Sequence, residues 1–234
     1  MGFVFTTDDG ASFVSHQQAI YGNAFREVQL KLAYLTQRRR PSTTIGMASK
    51  KVLVLLADGS EEMEVIITVD VLRRGGLDVL LAGLGGDRPH ECSRGVKVVP
   101  DKSFDVVKGD KFDAVVLPGG MGGAQLFCKS EEVGKLLKKQ EEEGRLIAAI
   151  CAAPLALMTH KIAIGRSVTY HPAVTEQMEQ AKSHKHSDGR VVHDGLLVTS
   201  QGPGTAFEFA LKLIEILVSK EKADEVTKPL LCKV

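Results

Sequence analysis

From Lys50 onward, short apolar runs alternate with segments that open on a capping residue and close on glycine. This rhythm constrains the fold more than any other feature of the chain. Residues 52–57 (VLVLLA) form a continuous apolar run, the signature of a parallel strand buried on both faces. Asp58-Gly59 turns the chain. Ser60 is placed to cap a helix over 60–74, with Glu61, Glu62 and Glu64 near its positive end and Gly75-Gly76 as its stop. Strands are expected at 79–82, 96–99, 113–117, 146–150 and 167–169. Ser130 caps a charged helix reaching Glu143, and a helix over 172–181 carries proline in its first turn. Asp194-Gly195 between 191–192 and 196–200 signals a hairpin. An apolar helix over 205–219 and a short one beginning at 223–226 end the chain. Repeated strand–helix units of this kind give an open, mostly parallel α/β sheet with helices on both faces.

Bulk properties narrow the partners. At 234 residues and 44% hydrophobic, the chain is long enough for one α/β domain with an appendage. A net charge of +1 gives no whole-protein field that would favour nucleic acid or a membrane surface. No apolar run is long enough to span a bilayer. Cys92, Cys128, Cys151 and Cys232 are widely spaced with no CxxC pair, so they read as free thiols in a reducing compartment. His184 and His186 form an HxH pair, but with no further ligand at zinc spacing they read as a solvated loop, and no metal or cofactor is expected.

Residues 1–46 lack the strand–helix rhythm. Tyr21, Phe25, Val28, Leu32 and Leu35 make a helical apolar stripe, followed by Arg38-Arg39-Arg40 and a Pro-Ser-Thr-Thr stretch. Arginines beside an amphipathic segment suit a mitochondrial transit peptide, whereas Asp8, Asp9 and Glu27 count against one. The other reading is a disordered or loosely docked extension, with the folded domain at 47–234.

In open parallel sheets, ligands sit beyond the carboxyl ends of the strands. Four chemically useful features fall there. Cys151 ends the run LIAAIC and enters a helix through small residues, a position where a helix N-terminus would favour thiolate and free N–H groups could hold an oxyanion. The alternative is a cysteine serving as a small buried apolar residue. Gly119-Gly120 follows the strand at 113–117 in a PGG turn. Glu64 lies just past the first strand, among acids that would otherwise be solvated. Tyr170-His171-Pro172 follows another strand, which aims an imidazole toward the same edge.

Four segments in order, LLADGSEEMEV, VVLPGGMGGAQ, LIAAICAAP and VTSQGPGTAFEFAL, resemble the Parkinsonism-associated protein deglycase family of the PfpI-like superfamily. The resemblance runs from Met47 to the C-terminus. It implies a flavodoxin-like three-layer α/β sandwich and a homodimer in the cytoplasm, with mitochondrion and nucleus as further locations. It implies a nucleophile at Cys151, a carboxylic acid partner at Glu64 and a histidine at His171. Gly119, Gly120 and Ala152 would supply backbone to an oxyanion, Arg94 would lie near the site at the dimer interface, and Cys92 would join Cys151 as a modifiable thiol. Three residues depart from the family pattern: Ala153 replaces a glycine, Gln201 replaces an arginine before GPG, and Val99 replaces a cysteine.

The implied activities are glutathione-independent glyoxalase and deglycation of early adducts on proteins, with glyoxal and methylglyoxal as small substrates. Redox sensing with chaperone-like protection is the rival, since a low-pKa thiolate also climbs the oxidation ladder. Peptide hydrolysis is poorly supported because Ala152 stands where peptidase-like relatives carry a base. In the expected chemistry Cys151 adds to the aldehyde, and a protonated Glu64, hydrogen-bonded to the thiolate, moves the proton with His171. Hydrolysis then releases a 2-hydroxy acid.

Overall fold

A computed structural model describes residues 49–232. The extension expected at 1–46, with its apolar stripe and arginines, lies outside the described residues.

Strand β1 (Lys51–Leu56) forms where five consecutive apolar residues follow a lysine, and every one of the five is buried. It pairs in parallel with β2 (Asp78–Gly83) on one side and β6 (Ala114–Leu117) on the other. Strand β7 (Leu146–Ile150) continues the sheet from β6, and β11 (Leu197–Ser200) from β7, both in parallel. The edges are β5 (Lys102–Ser103) beside β2 and β10 (Val191–Asp194) beside β11. The order is therefore β10-β11-β7-β6-β1-β2-β5, with β10 alone antiparallel, in the hairpin whose turn Gly195 makes at φ +66°. After β1 the chain builds outward through β2 and β5, then returns to β6 and builds the other way. The reversal lies between β1 and β6, the switch point where open α/β sheets bind ligands.

Helices cover both faces. On one, α1 (Glu62–Arg74) packs against α7 (Ala206–Leu217), which carries α8 (Lys220–Leu230). The other group is α3 (Met121–Lys129), α4 (Glu131–Glu142) and α5 (Pro154–His160). The single-turn α2 (Phe104–Val107) buries Phe104 beside β5, and α6 (Thr175–Ala181) packs on α5. The interior between the layers is aliphatic with four buried phenylalanines, Phe104, Phe112, Phe127 and Phe209. Burial of such strands and amphipathic helix faces is the main favourable term in this fold.

Several sequence expectations need correction. The first helix is capped by Glu61, whose carboxylate accepts from the Glu64 amide at 2.8 Å, while the Ser60 hydroxyl is taken by the Ala57 amide at 3.1 Å. The strand expected at 96–99 is β4 (Lys97–Val98), paired with β3 (His90–Glu91) in a separate small hairpin. The one expected at 167–169 is β8 (Ser167–Val168), paired with β9 (Lys185–His186) outside the main sheet. The helix expected over 172–181 opens with a 3-10 turn at Pro172–Val174 before α6. Helix α3 was not anticipated: its first turn, MGG, carries two glycines and reads as loop.

Candidate active site

Three carboxyl ends of strands converge at the switch point, and each delivers one part of the site. Ile150 ends β7, and Cys151 follows it in the left-handed region at φ +65°, where a residue with a Cβ is strained by about 1–3 kcal/mol. Two hydrogen bonds hold it there. The Cys151 N–H donates to the Ser200 carbonyl at the end of β11, and the Cys151 carbonyl accepts from the His171 N–H, both at 2.9 Å. The sharp turn points the thiol back over the sheet edge, and the residue is 8% exposed.

Leu117 ends β6 and leads to Gly119-Gly120. Gly119 is required by close approach: a Cβ there would overlap the Cys151 Cβ and come within 2.7 Å of Glu64 Oε2. Gly120, at φ +82°, lies against the Gly59–Glu61 backbone where a Cβ would come within 2.5 Å of the Glu61 nitrogen. The turn after β1 and the turn after β6 are thus pressed backbone to backbone, and Glu61 N–H donates to the Gly119 carbonyl at 3.0 Å.

Glu64 sits in the first turn of α1 and is fully buried. Its Oε2 accepts from the Gly119 amide at 2.7 Å, and its Oε1 has no hydrogen-bond partner among the described residues. Burial pushes the Glu64 carboxyl up to about 7, against the Gly119 hydrogen bond, with the charge of Glu61 adding to the rise. Burial, followed by the Glu64 charge, pushes the Cys151 thiol up to about 12, although the Gly120 and Ala152 N–H groups favour its anion. The sequence led us to expect a thiolate prepared by a helix N-terminus. Instead α5 begins three residues later and is short, while desolvation and a neighbouring carboxylate dominate. Two acidic groups lie side by side in a dry setting, and above about 7 they hold one proton between them.

In front of Cys151 opens a cleft of about 440 Å³, walled by Glu61, Arg94, Gly120, Ala152, His171 and Pro203 among others. His171 Nδ1 accepts from the Ala173 amide at 3.1 Å. Arg94 is exposed, and among the described residues its guanidinium hydrogen-bonds its neighbour's carbonyl, Ser93 O, at 3.4 Å. Buried Glu62 fixes this rim: it accepts from Ser93 Oγ at 2.9 Å and from the Arg94 amide at 2.9 Å. Cys92, behind the rim, is buried, and its thiol is raised to about 11 by burial and by Glu62, Glu61 and Asp58.

The structure therefore brings Cys151, Gly120, Ala152, Arg94 and His171 to the wall of one cleft and packs Glu64 and Gly119 against Cys151 from the interior. The departures have separate outcomes. Ala153 lies in ordinary helical backbone at φ −63°, which alanine adopts freely. Gln201 is bound to the Asp188 carbonyl at 3.2 Å and does not line the cleft. Val99 is 63% exposed. Glu61 and Pro203 were not singled out from the sequence. No sequence signal marked the first, because Ser60, a favoured capping residue, stands one position earlier and takes the expected cap. No group of histidine, cysteine and acidic residues suited to a metal ion occurs among the described residues.

Residues 50–216 match the DJ-1/PfpI family. The chain belongs to that family. Among its DJ-1 relatives, Protein dj-1beta of Drosophila melanogaster is 54% identical over 183 residues, covering 78% of this chain and 97% of that protein. Glutathione-independent glyoxalase DJR-1.2 of Caenorhabditis elegans is 45% identical over 184 residues, covering 78% and 97%. The crystal structure of Drosophila melanogaster DJ-1beta superposes with a TM-score of 0.77 at 52% identity, covering 80% of this chain and 100% of that one. The DJ-1 fold is thus the fold of the present chain, and its mostly parallel sheet between helical layers is the sandwich expected from the sequence.

Proposed function

We propose that this chain is a cysteine-dependent, glutathione-independent glyoxalase and protein deglycase, acting on methylglyoxal, glyoxal and their early adducts as a homodimer. The observation that carries the reading is the buried Cys151–Glu64 pair beneath Gly119, opening on a cleft. A relative named as a glutathione-independent glyoxalase supports it.

The steps follow from the proton inventory. As the Cys151 sulfur bonds to the aldehyde carbon, the shared proton ends on the Glu64 carboxylate beside it. The carbonyl oxygen becomes an oxyanion facing the Gly120 and Ala152 N–H groups and then takes that proton, giving a hemithioacetal. Glu64, with His171 at the cleft wall, removes the proton from the former aldehyde carbon and returns one to the neighbouring carbon, while the hydroxyl proton passes to the neighbouring carbonyl oxygen, leaving the thioester of a 2-hydroxy acid. Water cleaves the thioester, releasing a 2-hydroxy acid and the Cys151 thiol. The net reaction is addition of water and an internal redox exchange, so it needs no outside oxidant. A carboxyl poised near 7 suits both halves of this transfer. The rate is expected to rise with pH through about 7 as the pair loses its first proton.

The test is D-lactate formation from methylglyoxal without glutathione, using reduced wild type, Cys151→Ser and Glu64→Gln. Turnover that disappears in Cys151→Ser and falls at least ~100-fold in Glu64→Gln supports the reading. Full turnover in Cys151→Ser overturns it. Absence of turnover in reduced wild type favours the second reading, an oxidation sensor and chaperone in which Glu64 holds an oxidised Cys151.

A further inference from the structure

We propose that Glu61 is a positioning residue for this reaction, its buried charge setting the pH at which the Cys151–Glu64 pair loses its first proton. The inference rests on the pairing of those two groups in the reading above. Three observations carry it. Glu61 is 8% exposed and lies at the cleft wall, where partial loss of water already raises its own carboxyl. Its Oε2 caps α1 through the amide of Glu64 itself, fixing the turn that carries the general base. Ser60, a favoured capping residue, stands one position earlier and is used elsewhere, so the helix begins on a residue type poorly suited to the cap. Breaking a local rule without local gain is expected where function requires it.

The electrostatics run in one direction. Glu64 is faced by Glu61 from its own turn, by Cys151 from the turn after β7, and by the Gly119 N–H from the turn after β6. Of these, Glu61 is the additional charge. Glu61 itself is raised by burial and by Glu62, and lowered by the Glu64 amide and by Arg94 across the rim. A charged Glu61 makes a further negative charge on the pair costly, so the pair keeps its proton to higher pH and Glu64 becomes a stronger base. Cap and charge can be separated, because glutamine retains the accepting oxygen and discards the charge.

The experiment follows iodoacetamide alkylation of the Cys151 peptide by mass spectrometry across pH. This reads the pair without requiring any turnover. Glu61→Gln should move the alkylation midpoint down by roughly one pH unit, the scale of a like charge acting within one helical turn. Glu61→Asp should keep the midpoint near that of wild type. If Glu61→Gln does not fold, Glu61→Ser supplies a favoured cap without the charge and should show the same downward shift. An unchanged midpoint in the uncharged variant overturns the inference, as does an equal shift in Glu61→Asp, which would assign the effect to geometry. Lactate formation, measured in parallel, separates the two ideas. A shifted midpoint with no turnover in wild type leaves the inference standing and removes the glyoxalase reading, and turnover with an unshifted midpoint does the reverse.

Discussion

Gly119 shows how little freedom single residues have at this site. The Cys151 Cβ and the Glu64 carboxylate occupy the space a side chain would need, and the Gly119 amide is the donor that fixes Glu64. Gly119→Ala is therefore expected to cost about 1–3 kcal/mol through overpacking, and to lower turnover far more than stability alone would explain. Denaturant unfolding and steady-state kinetics on the same samples check this. An alanine variant with normal turnover would show that the Gly119–Glu64 contact has no part in the chemistry. The importance of the glycine was legible in the PGG turn, but its reason was not. A PGG turn signals backbone freedom, whereas the constraint here is contact with residues 55 and 32 positions away in the chain. The protonation state of Cys151 was also hidden. Local sequence displays a strand ending at a thiol, while burial and a carboxylate from another element determine where the proton sits.

At the scale of elements, the cleft rim hangs on one carboxylate. Glu62, in the first turn of α1, ties down Ser93 and the Arg94 amide between β3 and β4. Burial works to raise its pKa, but hydrogen bonds from its own amide, Ser93 and Arg94 outweigh that and hold it below the ordinary glutamate range. The sign follows: its contribution to stability is present above that range and is lost as pH falls through the lowered value. Glu62→Ala should free the rim, raising KM several-fold while leaving kcat within about twofold, the pattern of lost substrate positioning. A fall in kcat at constant KM would assign Glu62 to the chemistry instead. The longer strands and most helices of this scaffold were legible because period and caps agree, as in LIAAI for β7 and Ser130 for α4, whereas the two-residue strands β3, β5 and β9 carry no such signal. The exceptions share a physical cause. Helix α3 begins on glycines because its first turn is pressed against the 59–60 backbone, where a Cβ on Gly123 would come within 2.6 Å of Ser60 Oγ. Packing overrides propensity there. Likewise β4 and β8 look like sheet strands locally, and only tertiary pairing shows that they form separate ribbons.

For the whole molecule, the site is a stability cost carried by the rest of the fold. Glu64 titrates near the ordinary glutamate value when unfolded and near 7 when folded, so the native state binds more protons between those values. Stability is fully present below the unfolded value, declines as pH rises toward 7, and levels off above it, a loss of roughly 3 kcal/mol for this carboxyl. Such a loss is a large share of the 5–15 kcal/mol that a domain usually has. The aliphatic core between the two helical layers is what absorbs it. Replacing Glu64 by glutamine removes the titration but retains an oxygen for the Gly119 amide. Denaturant midpoints measured from pH 4.5 to 7.5 should therefore fall in wild type and stay much flatter in Glu64→Gln. The comparison across pH is the informative quantity, because a glutamine amide placed where Oε1 is unpartnered adds its own pH-independent cost. Parallel midpoint curves for the two proteins would mean that Glu64 is charged in the folded state at ordinary carboxylate pH. The proton exchange with Cys151 would then lose its physical basis.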